Sequence, residues 1–345
     1  MSSTLGAAPL EVVTVPDFSG EAAGLFEART LFFLASWLEW RATNPGPAAP
    51  ALRLCCIGEP PGSVRRLAER AGAEIGVHGP VAGFWGGFAN KLRGLEGGGR
   101  GRRLVLDADV LVLGAPDVSD LGGVDFAAAP AGKPQVPQAL WERLYAALGV
   151  PLPPERIPSL RGRLGLTLED VSLRYAGQGA EAAAMLPYHN SGVLFVQGDT
   201  GGLRACWEAH LHRILQLATT DPEMAPLHAL MYGDQVGLAT ALQALRAQGR
   251  TFALLPDDLN VRLVHLRAAA VRWRDIRLFH ATGFLRGLHS RDDLPARLDE
   301  YAARWSGAMA EGATRDPAAA EDAGHPRRFL HGLWDRWVRA EWERG

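Results

Sequence analysis

The chain has 345 residues, 47% hydrophobic and 21% charged, with a formal net charge of −2. These proportions belong to a globular protein with a sizeable core, and they exclude a disordered chain and the broad basic field that nucleic acid attracts. Three cysteines, Cys55, Cys56 and Cys206, exclude a disulfide framework and show no zinc-type spacing. Residues 1–9 are small and polar and read as disordered, without the basic and apolar regions of a secretory leader. The densest apolar stretch, 31–40, contains Glu39 and is too short for a bilayer, so a cytoplasmic protein is expected.

Leu10–Val15 reads as a first strand, stopped by Pro16 and Asp17. Ala28–Ala42 has a helical apolar pattern, broken by Asn44-Pro-Gly-Pro47. Leu52–Ile57 is a second strand, Ser63–Ala73 a helix, and Ala73–Val77 a short third strand. This alternation predicts an α/β fold with a mostly parallel, Rossmann-like sheet, whose ligands lie beyond the carboxyl ends of the strands. Phe84–Leu95 is read as a helix, with Lys91 on the flank of its apolar stripe. A lysine there is ordinarily a surface residue laying its stem over apolar neighbours.

Arg103-Leu-Val-Leu-Asp-Ala-Asp-Val-Leu-Val-Leu113 is an apolar run broken only by Asp107 and Asp109. It is read as one strand buried on both faces, with the two carboxylates projecting to the same side. Bare carboxylates in such a strand are costly unless something positive sits between them, and a hard divalent cation holding phosphate oxygens fills that role. The alternative is a strand that ends at Leu106, with the pair capping an exposed turn. The residues alone leave both open.

Asp125–Ala129 is a further strand. Residues 131–187 form a long insertion rich in proline and glycine, with one helix, Gln138–Leu148. Its segment 156–174 carries more arginine than acid, which suits either a solvated loop or a lid. Tyr188–Val196 is a strand opened by Asn190 and Ser191. Leu203–Leu217 is a helix, 218–230 a loop, and Gly233–Leu242 the start of another helix with Asp234 as its N-cap. Thr251–Leu255 is a strand leading to Asn260, and Ile276–Phe279 is the last core strand, delivering His280. Leu294–Trp305 is helical, 307–324 a Gly/Ala-rich linker, and Arg328–Trp342 a final helix with Leu330, Trp334, Trp337 and Val338 along one side. That side is read as docked on the body. Peripheral contact of residues 325–345 with the inner face of a membrane is the alternative, because arginines flank the tryptophans.

Taken in order, Lys91, Leu106-Asp-Ala-Asp-Val-Leu-Val112, Asn190-Ser-Gly-Val193, Asp234-Gln235 and the pair Asn260 and His280 resemble glycosyltransferase family 8. This is the glycogenin and bacterial galactosyl/glucosyltransferase group with a GT-A fold. The resemblance covers about residues 10–290 and leaves 291–345 as a helical C-terminal extension. It implies a retaining hexosyltransferase that uses a nucleotide-diphosphate sugar, with UDP as the family default, and Mn2+ or Mg2+. It further implies Asp107, Asp109 and His280 as metal ligands, and Lys91, Asn190, Ser191 and Asp234 as contacts of the donor sugar. Asp234 and Gln235 fall at the catalytic position, with Gln235 near the anomeric carbon. Thr14, Asp17, Asp107, Ala108, Gly283 and Arg286 fall to the nucleotide and diphosphate.

The family usually places a lysine six residues after the histidine, in a Lys-Pro-Trp sequence. Here the residues are Arg286-Gly-Leu288, which keeps the cation and loses the Pro-Trp. The acceptor, whether glycan, lipid-linked or protein, is not legible. A sugar-nucleotide-binding protein without turnover is the first alternative. A haloacid-dehalogenase-type phosphohydrolase fits less well, because three strands precede the Asp pair. A nucleotidyltransferase would want a Gly-rich phosphate loop after the first strand, where Pro16-Asp17 stands instead.

Overall fold

The computed structural model describes residues 9–44, 49–82, 88–97, 101–132, 136–164, 184–229, 233–316 and 324–344. In chain order the elements are β1 Leu10–Thr14, α1 Ala23–Thr43, β2 Ala51–Ile57, α2 Gly62–Ala71, β3 Glu74–His78, β4 Arg102–Leu106, β5 Val110–Val112 and β6 Phe126–Pro130. There follow α3 Gln138–Leu148, β7 Ile157–Pro158, α4 Leu160–Arg163, β8 Ala184–Met185, β9 His189–Gln197, α5 Thr200–Thr220, α6 Pro226–Ala229, α7 Gly233–Ala247 and β10 Phe252–Leu254. The chain ends with α8 Leu263–Arg267, β11 Leu278–His280, α9 Leu294–Ala313, α10 His325–Leu333 and α11 Arg339–Glu343.

Seven strands form one sheet in the order β10-β6-β9-β4-β1-β2-β3. All run parallel except β9, which is antiparallel to both of its neighbours. This is the mostly parallel, helix-flanked sheet that the alternation of elements predicts. The reversal of β9 matters for the site. Its first residues, Asn190 to Gly192, lie at the edge where the parallel strands end, and Leu106 pairs with Val193.

The run 103–113 is not one strand. β4 ends at Leu106, Asp107 to Asp109 form a turn, and β5 leaves the main sheet to pair antiparallel with β11, His280 opposite Val110. The three-residue break lets an apolar run serve two sheets. β5 is buried under α1, where the Ser36 hydroxyl accepts from the Val112 amide at 3.0 Å. α1 buries Leu31, Phe32, Phe33, Leu34, Ala35 and Trp37 together, as a helix apolar on nearly all sides must.

Phe88–Leu95 is wound as a 3-10 segment rather than as an α-helix, and the first residues of the expected helix, 84–87, lie outside the described residues. It presses against the sheet so closely that a Cβ on Gly94 would sit 2.9 Å from Val105 Cγ1. Buried Arg103 clamps it by donating to the carbonyls of Gly94 at 2.9 Å and Glu96 at 3.0 Å. The tight winding suits a segment that must pass at that distance.

The expected linker 307–324 is helical as far as Ala313, because its alanines favour helix and Ala308 and Met309 are buried against the body; 317–323 lie outside the described residues. The last helices dock as a unit: Leu330, Leu333, Trp334, Val338 and Trp342 are buried, and Trp337 Nε1 donates to Glu39 at 3.0 Å.

Two buried histidines tie stability to pH. Burial pushes both His189 and His265 down to about 3, with Arg246 and Arg262 adding to the effect. His265 Nδ1 accepts the Arg262 amide at 2.9 Å, so that nitrogen carries no proton. Below the ordinary histidine value of about 6.5 the unfolded chain takes up protons that the folded chain refuses, and stability falls as pH drops. Urea unfolding between pH 6.5 and pH 5 should therefore lose up to about 1.4 kcal/mol per pH unit for each histidine. His265→Asn should remove its share of that slope, and a slope unchanged by the substitution would refute the assignment.

Candidate functional site

The turn Asp107-Ala108-Asp109 sits at the carboxyl edge of the sheet, between the start of β9 and the end of β11. Asp109 is 8% exposed and His280 3%. The exposed-turn alternative is thus half right: the strand stops at Leu106, but Asp109 is buried and Asp107 half-buried. Asp107, Asp109 and His280 each offer one ligand atom, and these atoms lie within 4.8 Å of one another.

Each carboxylate divides its oxygens between protein and imidazole. Asp107 Oδ1 lies 2.7 Å from Lys91 Nζ, and its Oδ2 lies 3.8 Å from His280 Nε2. Asp109 Oδ2 accepts the Gly283 amide at 3.0 Å with Arg29 Nη2 at 3.9 Å, and its Oδ1 lies 3.4 Å from His280 Nε2. Two oxygens are anchored, and two converge on one nitrogen. Metal bonds of about 2.0–2.2 Å place neighbouring ligands on an ion roughly 3 Å apart and opposite ones roughly 4.3 Å apart. The donor set of two carboxylates and an imidazole therefore fits a divalent cation.

The tautomer of His280 follows from a directed chain of hydrogen bonds. The Gly192 amide can only donate, so the Asn190 atom 3.2 Å away is the oxygen. Asn260 then donates Nδ2 to Asn190 Oδ1 at 3.0 Å, which leaves Asn260 Oδ1 to accept from His280 Nδ1 at 3.1 Å. The Nδ1 proton is fixed, and in the neutral ring Nε2 keeps its lone pair toward the aspartates. The ring packs directly on the backbone of β9: a Cβ at Gly192 would fall 2.0 Å from His280 Cε1.

Burial pushes Asp107 up, and Asp109 adds to the rise while Lys91 opposes it. Burial acts on Asp109 too, but with Nε2 of His280 protonated, as in the ring without a metal, His280, Arg29 and the Gly283 amide outweigh it and hold that carboxyl well below the usual range. Burial would lower Lys91, yet Asp107 and Asp234 together raise it, so it stays charged. Far from lying over the surface, Lys91 also reaches Ser191 Oγ at 2.8 Å and Asp234 Oδ2 at 3.1 Å. Ser191 Oγ donates to the same Asp234 oxygen at 2.5 Å. Asp234 lies inside the first turn of α7 rather than capping it, with its carboxylate committed to these two partners. Its carbonyl accepts Trp207 Nε1 at 3.0 Å, and Gln235 beside it is buried.

Of the other expected residues, Ala108 is buried in the turn, and Gly283 follows His280 in the same loop. Thr14 has no accessible surface and its hydroxyl lacks a partner among the described residues. Asp17 is half-buried and accepts Ser19 Oγ at 2.6 Å and Asn90 Nδ2 at 2.8 Å. Arg286 is exposed, and among the described residues only its amide is held, donating to the Gly283 carbonyl at 2.9 Å and to Tyr301 Oη at 3.2 Å. The Tyr301 hydroxyl donates in turn to the Gly283 carbonyl. This loop rests on an aromatic bed in which the Phe32 and Phe284 rings lie 5.4 Å apart and those of Phe279 and Trp305 4.7 Å apart.

Sequence reasoning missed Arg29 and Tyr301. Arg29 had a signal, a lone cation inside the apolar run 28–35. Its Nε donates to the Phe284 carbonyl at 2.7 Å, tying α1 to the loop. Tyr301 had none. Beside the cluster opens a cavity of about 340 Å³ bordered by Asn190, Gln235 and His280.

No family model and no curated protein matches the chain. Among solved structures it is similar to the galactosyltransferase LgtC in complex with donor and acceptor sugar analogues, at 15% identity over 86% of this chain and 95% of that one, with a TM-score of 0.43. It is similar to the glycosyltransferase GlyE of Streptococcus pneumoniae TIGR4 at 15% identity, covering 89% of this chain and 64% of that one, TM-score 0.40. A third likeness is to core-mannan synthase A of Aspergillus fumigatus in its Mn/GDP form, at 8% identity over 74% of each chain, TM-score 0.42.

The packing of His280 on Gly192 makes a test of the site. Gly192→Ala should displace the imidazole, lower basal stability by about 1–3 kcal/mol through overpacking, and abolish any Mn2+-dependent rise in Tm. His280→Ala, which introduces no clash, should abolish the same rise. A rise that survives both substitutions would remove His280 from the ligand set.

Proposed function

We propose that the protein is a divalent-metal-dependent glycosyltransferase of GT-A type, resembling family 8. It would move a hexose from a nucleotide-diphosphate sugar, with UDP the favoured nucleotide, to an acceptor hydroxyl with retention of configuration. The observation that carries this reading is the split of the aspartate oxygens, one of each anchored and one of each turned to His280 Nε2, next to the Lys91–Ser191–Asp234 cluster. A Mn2+ or Mg2+ held there by Asp107, Asp109 and His280 would supply Lewis-acid stabilisation of a departing diphosphate.

The chain's own residues take the remaining roles. Arg286 stands exposed at the end of the loop after His280, where a guanidinium can grip phosphate oxygens. Asp17, with Thr14 beneath it, marks the end of β1 where the nucleoside would lie. Ala108 and Gly283 would bring backbone close to the diphosphate. Lys91, Asn190, Ser191 and Asp234 would orient the sugar, with Lys91 keeping Asp234 ionised as an acceptor for sugar hydroxyls. Asp234 is committed to Lys91 and Ser191 rather than poised as a nucleophile. This supports attack by the acceptor on the face that the leaving group departs from, with the Gln235 amide beside the oxocarbenium-like centre.

Slow hydrolysis of a UDP-hexose in the presence of Mn2+, followed by NMR of the released sugar, tests the reading. Asp109→Asn should lower the rate about a hundred- to a thousandfold, the scale of losing one preorganised electrostatic interaction, while the far-UV circular dichroism is unchanged. The first-formed anomer should match the donor. Metal-independent hydrolysis, inverted product or a trapped sugar–enzyme adduct would each count against the mechanism. The Arg286-Gly-Leu288 departure favours a second reading, a binder without turnover. Tight UDP-sugar binding with no hydrolysis would select it.

A further inference from the structure

The cavity beside the site is lined by four arginines, Arg161, Arg262, Arg267 and Arg304, and by no acidic residue among the described ones. They come from three places in the chain: α4, the two ends of α8, and α9. Their charge is only partly answered. Arg262 donates to the Pro130 carbonyl at 2.7 Å. Arg267 lies 3.3 Å from the Glu311 carboxylate, and both groups are well exposed. The Arg304 guanidinium lies 5.8 Å from the centre of the Tyr301 ring, and neither it nor Arg161 makes an ion pair among the described residues. Arg161 and Arg304 thus bring two charges without an acidic partner among the described residues to one concave surface, an arrangement that an anion would relieve.

The cavity meets the reaction centre at Gln235, Asn190 and His280 and is not lined by Asp107, Asp17 or Thr14. It therefore borders the residues given to the donor sugar and not the end of β1, where the nucleoside is placed. We infer that this cavity receives the acceptor, and that the acceptor carries a phosphate or carboxylate close to the hydroxyl being glycosylated. The inference rests on the glycosyltransferase reading. In the step, the acceptor oxygen bonds to the anomeric carbon as the bond from that carbon to the diphosphate oxygen breaks. The hydroxyl proton passes to that departing oxygen, and the nucleoside diphosphate leaves. The arginines hold the acceptor anion in a guanidinium fork and take no part in the bond exchange.

Isothermal titration of the full chain, saturated with Mn2+ and UDP, tests this with glucose 6-phosphate and glucuronate as charged probes and glucose as the neutral one. A charged probe should bind at least about tenfold more tightly than glucose, and added salt should weaken it. The Arg161→Gln/Arg304→Gln double variant should weaken it about ten- to a hundredfold while the UDP affinity in Mn2+ changes less than about twofold. The two charged probes separate phosphate from carboxylate as the recognised group. Charged probes that bind no better than glucose would overturn the inference. A parallel loss of UDP affinity would overturn it too, by assigning the arginines to the donor phosphates. If UDP and Mn2+ do not bind at all, the glycosyltransferase reading fails, and with it the acceptor role. Anion recognition is then upheld or refuted by the same probes without nucleotide.

Discussion

Two carboxylates within three residues, Asp109 buried and Asp107 half-buried, set the terms for everything around them. Asp109 needs partners to stay ionised there, since burying an unpaired charge is among the largest penalties a fold can carry, and half-buried Asp107 beside it adds a second negative charge. The fold answers from three directions. Lys91 arrives on a 3-10 segment flattened against the sheet, Arg29 on a helix buried on nearly all sides, and His280 on a strand that pairs with the residues just after the aspartates. Each answer occupies only part of a carboxylate, and the oxygens left over point at one imidazole nitrogen.

The antiparallel β9 makes this convergence possible. A parallel strand in that position would bring its carboxyl end to the site and send its opening residues to the far edge of the sheet. Reversed, β9 delivers Asn190, Ser191 and Gly192 beside Asp107. Ser191 then closes the link from Lys91 to Asp234, and Asn190 begins the relay that fixes the proton on His280.

Much of this was legible in the chain because it lies in local patterning. The alternation of β1, α1, β2, α2 and β3 could be read from apolar runs and breakers, and Gln138–Leu148 falls on the observed helix residue for residue. The cluster itself could be assembled from separated motifs. The path of the backbone through it could not. An apolar run with two acids does not say whether it is one strand or two strands flanking a turn, since both bury the same residues, and only the pairing of β5 with β11 decides. The winding of Phe88–Leu95 was hidden for a related reason: Val105 and Arg103 of β4 hold the segment down at Gly94 from outside its own sequence. The alanines and glycines of 307–313 looked like a linker by composition, yet burial of Ala308 and Met309 holds them in helix.

The hold that α9 keeps on the loop after His280 bears on how the molecule comes into being. Tyr301 takes the Gly283 carbonyl and the Arg286 amide on one oxygen, and Trp305 beds the same loop from below. A nascent chain with both aspartates already clear of the ribosome still lacks the floor on which the imidazole loop rests. The loop after the imidazole therefore gains its floor only with α9, although Lys91, Arg29 and His280 all precede that helix in the chain.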